Sequence, residues 1–352
     1  MACRRKWIPS PPSGERARER GVESTVVAAV PRPYGLLVRR ILRRQGWTIA
    51  VYVLLLLLLA VSVAIKPDYG AFEWSSLALG ALPLAFAAVA QTVVVLGGGI
   101  DLSVGPLMAL ANVLAVRAML GHDFNYALVM SVLVLLMVTL AGAVNGAVIV
   151  ITRVPDIVIT LAMSFVWAGV ALLVLAKPTP GVPVEFQNLA QGSTGSPWIP
   201  NAFLVLLIVP LVWFPLKRSR LGLGIYAAGS ERNAAFRSGV NISLSRLLAY
   251  AVGGFFAAAG GLALTMTTGI GAPLAGNYYT LSGVSAIVLG GVSLAGGRGG
   301  MLGPIAAAYI LALIPADLIY LGIDPNYGQM IQGVLIVLVV MAGGLGMLLR
   351  RR

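Results

Sequence analysis

The sequence predicts an all-α fold, a polytopic transmembrane helix bundle of about ten spans with both termini cytoplasmic, and three observations carry that prediction. Hydrophobic residues make up 59% of 352 positions and charged residues 11%, which leaves too little polar surface to cover a water-soluble core. Apolar runs near the length needed to cross a bilayer recur between charged, proline and glycine punctuation. Lys and Arg then segregate: with the N-terminus inside and strict alternation, twenty-two fall inside and three (Lys66, Arg117 and Lys177) outside. Asp68, Glu73, Asp123, Glu185 and Asp324 all lie outside. A shift by one helix spoils this asymmetry, so an even number of spans is expected.

Taken in order, residues 1–46 read as a basic cytoplasmic arm holding eleven of the twenty-five Lys and Arg residues, with Pro9, Pro11, Pro12, Pro31 and Pro33. Residues 47–352 read as a membrane domain. Its expected spans are 47–65, 76–96, 102–120, 127–151, 157–176, 202–216, 247–266, 280–295, 302–321 and 329–348. The first is too long for a signal-peptide core and has no small-residue cleavage site before Lys66-Pro67-Asp68, so it reads as a retained helix. The run 202–216 is short for a span, and the glycine-rich joints 97–101 and 296–300 read either as loops or as breaks within the membrane. A proline-rich stretch, Lys177 to Pro200, is expected over the outer mouth. Val95-Leu96-Gly97-Gly98 before Gly105-Pro106 is echoed by Val288-Leu289-Gly290-Gly291 before Gly303-Pro304, which duplication or a glycine-rich composition accounts for equally.

One cysteine, Cys3, and one histidine, His122, exclude disulfide frameworks, Cys/His metal sites and most histidine-based catalysis, so neither metal nor cofactor is expected and the chain does not read as an enzyme. No GxxxxGK[ST] phosphate loop occurs. The net charge of +13 reflects topology signals at the ends rather than nucleic-acid binding, since the basic arm lacks interleaved aromatics. Forty-two glycines imply tight helix crossings, with Gly142-xxx-Gly146 and Gly299-xxx-Gly303 at the matching spacing. After Gly97-Gly98-Gly99, Asp101 or Ser103 is placed to cap the next helix, or Asp101 to lie along a substrate path. The polar residues inside spans include Gln91, Asn112, Asn145, Thr160, Ser164, Thr265, Ser285 and Asp317. These suit interhelical hydrogen bonds or a wide cavity for a polyhydroxylated solute, and the absence of Lys or Arg among them argues against an anionic one. Gln91, Asp101, Asn112 and Asn145 are the candidate path residues.

Residues 217–246 form a hydrophilic island with six basic residues against one carboxylate, Glu231. Such a segment belongs in the cytoplasm and has room to dock a partner. Ser230 is placed to cap a short helix over 231–237 and Gly239 to stop it, with Ala234 and Ala235 permitting close approach of a second protein.

The blocks GGGIDLSVGPLMAL (97–110), NGAVIVITRVPDIVITLAM (145–163), GSERNAAFRSGVN (229–241) and VSAIVLGGVSLAGGRGG (284–300) resemble the permease subunits of bacterial ATP-binding cassette importers of the ribose and related monosaccharide class. The resemblance runs from about Trp47 to the C-terminus. It departs from the family pattern at Asp156 after Pro155, at Trp167-Ala168-Gly169 and in the long basic arm. It implies a multi-pass permease of the bacterial inner membrane that moves a monosaccharide or related polyol by alternating access and carries out no covalent chemistry. The implied partners are ATP-binding cassette ATPase subunits, an extracytoplasmic substrate-binding protein, a second permease subunit (homo- or heterodimer) and the lipid bilayer. By the same resemblance Glu231, Ala234, Ala235 and Gly239 match the motif that couples importer permeases to their ATPase. The alternative is an ion-coupled secondary transporter or channel for a small neutral solute, for which Asp101 and Asp317 are the candidate carboxylates.

Overall fold

A computed structural model describes residues 34–334 together with 337 and 341. The chain divides into two units, Met1–Arg44 and Gln45–Arg352, and the described side chains belong to the second. The regular structure of the described residues is almost entirely helical: α1 Tyr34–Ile65, α2 Ala71–Leu96, α3 Val104–Met119, α4 Phe124–Thr152, α5 Asp156–Val174, α6 Val184–Gln191, α7 Asn201–Leu206, α8 Ile208–Arg218, α9 Arg220–Ser230, α10 Arg232–Arg237, α11 Ile242–Thr268, α12 Asn277–Leu289 and α13 Leu302–Tyr320. A two-residue antiparallel pairing of β1 (Thr179–Pro180) with β2 (Ile270–Gly271) is the only sheet among them.

Among the described residues seven helical stretches are long and apolar enough to cross a membrane: Gly46–Ile65, Ala71–Leu96, Phe124–Thr152, Asp156–Val174, Asn201–Arg218, Ile242–Thr268 and Leu302–Tyr320. The expected span 202–216 is two helices broken at Leu207, and the one at 102–120 is the 16-residue α3. The one at 280–295 stops at Leu289, because Gly290-Gly291 ends the helix. Another helix runs from 327 through 334; most of the expected span 329–348 lies outside the described residues, as do positions 1–33 of the basic arm.

α2 is the axis of the bundle. Every residue from Ala81 through Leu96 is buried, many of them alanine, which lets α11, α12 and α13 approach closely. α11 is its main partner and is buried without interruption from Phe256 to Met266. On its other side α11 crosses α4, where a Cβ on Gly142 would sit 2.5 Å from the Tyr250 carbonyl oxygen and 2.8 Å from Gly254 Cα. The Gly142-xxx-Gly146 spacing is therefore a helix-crossing face. Gly299-xxx-Gly303 is not, since Gly299 lies in a loop at φ +134°. The outward faces of α1, α4 and α5 expose Leu56, Leu57, Leu136, Leu140, Phe165 and Leu173, an apolar mantle suited to lipid.

The echoed glycine pairs end α2 and α12 by one geometry. The N–H groups of Gly97, Gly98 and Gly99 donate to the carbonyls of Val93, Val95 and Val94, and those of Gly290, Gly291 and Val292 to Ala286, Val288 and Ile287. Gly98 and Gly291 take φ of +80° and +79°, the left-handed turn that closes a helix end in this way. Each joint then leads into a helix with proline in its first turn, Pro106 in α3 and Pro304 in α13.

Candidate functional site

The hydrophilic island folds as two short helices at an angle. α9 starts at Ser219, whose Oγ accepts from Gly222 N–H at 3.2 Å, and runs on through Ser230. Ser230 is thus not the cap of the next helix. The chain turns at extended Glu231 (φ −154°, ψ 102°), which takes the N-cap position of α10 without a side-chain bond. Gly239 does stop the helix: at φ +79° its N–H donates to Phe236 O and that of Val240 to Ala235 O. Ala235 is buried against the body, whereas Glu231, Ala234 and Gly239 are exposed and Phe236 is 73% exposed. One α10 face is seated and the other is free.

Behind α10 the end of α9 is welded to both glycine joints. A Cβ on Gly229 would lie 1.9 Å from Leu96 O and 2.9 Å from the nitrogens of Gly98 and Gly297. Gly297 N–H in turn donates to Leu96 O at 3.1 Å, and Tyr226 OH donates to Gly299 O at 3.1 Å. Three backbone segments touch here with no side chain between them. The physical consequence is stiffness, since close-packed backbone has nothing to repack when it is pushed.

The first joint is filled from within by polar side chains. Asp101 is fully buried, and its Oδ1 accepts from the Ser103 N–H (2.8 Å) and Oγ–H (2.5 Å). Asn145 of α4 donates to Ser103 Oγ (2.7 Å), and Trp167 of α5 donates through Nε1 to Asn145 Oδ1 (3.0 Å). Thr160 Oγ accepts from Leu102 N–H and donates to Ile100 O, while Gln91 of α2 donates to Asp101 O at 2.5 Å. Gln91 Oε1 and Asp101 Oδ2 remain without a partner. Asn112 sits apart: it donates to Thr265 Oγ and Ile270 O and accepts from Ala272 N–H, tying α3 to the α11–α12 link. The four expected path residues are all buried; the first joint gathers Gln91, Asp101 and Asn145, and Asn112 lies elsewhere. Asp317, the other candidate carboxylate for ion coupling, accepts from Ser62 of α1 at 2.6 Å.

One cluster was invisible to sequence reasoning. Asp156, in the first turn of α5, is ion-paired through Oδ1 with Arg246 of α11 and accepts through Oδ2 from Tyr250 OH at 2.8 Å. A Cβ on Gly99 would meet both Asp156 Oδ2 and Tyr250 OH at 2.5 Å, so this clasp also backs the first joint. The partners stand ninety residues apart in sequence; the available signals were Arg246 and Tyr250 at helical i,i+4 spacing and an acidic residue following Pro155. Among the described residues no group of three His, Cys, Asp or Glu could hold a metal ion.

Over residues 74–340 the chain matches the family described as branched-chain amino acid transport system / permease component. It is 33% identical over 266 residues to the ribose import permease protein of Escherichia coli strain K12, covering 73% of this chain and 81% of that one. It is 29% identical over 306 residues to the fructose import permease protein of Rhizobium meliloti, covering 83% of each. It is 31% identical over 308 residues to the galactose/methyl galactoside import permease protein of Escherichia coli strain K12, covering 82% of this chain and 92% of that one. No solved structure matches the chain.

Proposed function

We propose, from the premise that this chain belongs to the branched-chain amino acid transport system permease family, that it is the membrane-spanning subunit of an ATP-binding cassette importer for a monosaccharide or related polyol. In this reading it spans the bacterial inner membrane ten times with both ends in the cytoplasm, as the distribution of Lys and Arg favours. A second permease subunit, ATPase subunits and an extracytoplasmic binding protein complete the machine.

The observation that carries the reading is the α9–α10 unit: an exposed short helix whose base is in backbone contact with the end of α2 and with the loop after α12. Glu231, Ala234 and Gly239 form the face offered to the ATPase, and Ala235 seats the helix on the body. Closure of the ATPases pushes α10, and the stiff glycine contact passes the displacement to the two joints and so to α3 and α13. Gln91 and Asp101, each with one unpaired acceptor, suit the hydroxyls of a polyol when the first joint opens. Asn112 and Asn145 have protein partners at both ends of their amides and hold the helices in register.

Deletion of 230–239 tests this. ATPase co-purification and sugar uptake are expected to vanish while membrane insertion persists; retained uptake with bound ATPase refutes the coupling role. Single cysteines at Glu231 and Gly239 are expected to resist impermeant thiol reagents in intact cells and to react after the membrane is opened.

A further inference from the structure

A cavity of about 440 Å³ opens beside α10, between the α4–α5 joint, Arg246 near the start of α11 and the first glycine joint. Its walls carry Arg153, Arg232 and Arg246 and a single carboxylate, Asp156, with Gly98 and Gly99 as a side-chain-free floor. Both Asp156 oxygens are already engaged, by Arg246 and Tyr250. That leaves Arg246 Nε buried without a partner, and neither Arg153 nor Arg232 takes part in an ion pair among the described residues. The cavity therefore holds two uncompensated guanidinium charges, Arg153 and Arg232, beside the paired Arg246 with its one free N–H.

The walls are also pre-formed. The clasp fixes Arg246, and Arg153 sits at φ +58° at the end of α4, a left-handed position that few side-chain-bearing residues adopt. A ligand reaching guanidinium groups from different directions needs several acceptor oxygens on one centre, which a phosphate supplies and a lone carboxylate does not. The volume exceeds that of a bare anion and leaves room for the group to which the phosphate is attached.

We propose that this cavity is a binding site for a phosphate ester, which bridges Arg232 of α10 to Arg153 of the α4–α5 joint and so loads the coupling helix against the spans. The proposal rests on the reading that this end faces the cytoplasm, where anionic lipid headgroups and soluble phosphate esters both occur.

Full-length permease alone, without ATPase, separates the sources. In detergent, glycerol 3-phosphate and inorganic phosphate are titrated by calorimetry with glycerol as the uncharged control; in nanodiscs, retention of phosphatidylglycerol is compared with phosphatidylcholine by native mass spectrometry. Binding of the soluble esters assigns a metabolite site, and selective retention of phosphatidylglycerol alone assigns a headgroup site. Either is expected to weaken about tenfold in Arg153→Gln and in Arg232→Gln and to disappear in the double variant, with the Asp156–Arg246 clasp left intact and thermal stability unchanged. No binding by any phosphate probe, or undiminished binding in the double variant, overturns the proposal. Because neither uptake nor ATPase association enters the readout, its failure leaves the importer reading standing, and the failure of that reading shows separately in the deletion.

Discussion

The joint after α2 and the joint after α12 stop their helices with the same set of backbone hydrogen bonds and the same left-handed glycine, yet they are held in place by different means. The first is filled from inside: Asp101 and Ser103 knit the loop, and Gln91, Asn145, Thr160 and the Asp156 clasp fasten it to α2, α4, α5 and α11. The second has no buried carboxylate; Leu294 is exposed, the Ser293 backbone bonds only within its own loop, to Arg298 O and Gly296 N–H, and outside support comes from Tyr226, Trp47 and the Leu96 carbonyl. Both meet α9 at Gly229. One local grammar thus gives a rigid joint and a lightly tethered one, and the difference lies in which side chains the fold brings to each.

Breaking the shared contact has the largest expected effect. Gly229→Val places atoms inside both joints where the obstacles are backbone, so it is expected to cost at least the ~3 kcal/mol that marks severe overpacking and to abolish monodisperse protein on size-exclusion chromatography. Next, Asp156→Ala leaves the mostly buried Arg246 guanidinium unpaired, an expected loss of about 3 kcal/mol in denaturant unfolding; Asp156→Ala with Arg246→Met should recover much of it. Asp101→Ala strips two donors of Ser103 of their acceptor and is expected to cost about 2 kcal/mol, whereas Ser293→Ala in the second joint should lie within 0.5 kcal/mol. Equal losses would erase the distinction between the joints. The smallest and sharpest contrast is Gly98→Ala against Gly291→Ala, each strained by ~1–2 kcal/mol through its positive φ. At Gly291 the new methyl would meet the Trp47 ring at 2.1 Å, so Trp47→Ala should lessen the clash; at Gly98 it meets Gly229 Cα at 3.1 Å, and no side-chain truncation should help. Melting curves of the two double variants check this.

Much of the architecture was legible because its signals are local. Apolar runs located α1, α2, α4, α5, α11 and α13, since a helix that must satisfy its own backbone in lipid advertises itself by composition. Gly97-Gly98-Gly99 marked the end of α2 because few other residues take the left-handed turn, whereas the expected span 280–295 ran through Gly290-Gly291, where the structure ends α12 by the same turn. The reading of Ser230 as a cap failed for an equally definite reason: the missing side chains of Gly222, Gly224 and Gly229 let α9 pack against Leu216, Ser245 and Leu96, and that packing carries the helix through to Ser230. Likewise the four expected path residues share polarity in sequence but not place, since Asn112 turned to the α11–α12 link while the others converged on Asp101 and Ser103.

What the sequence alone determined is the kind of molecule and its coarse punctuation: a membrane bundle with glycine-rich joints, one hydrophilic island and a family likeness spread across the blocks that surround them, while the matched geometry of the two helix ends came from the structure. Hydropathy and backbone permissiveness are properties of neighbouring residues, so they survive in a one-dimensional string. What only the tertiary structure decided is contact across distance: Gly229 against Leu96 and Gly297, Asp156 against Arg246, and Trp167 against Asn145. Those pairings depend on how helices cross and rotate, which is settled by the packing of the whole bundle.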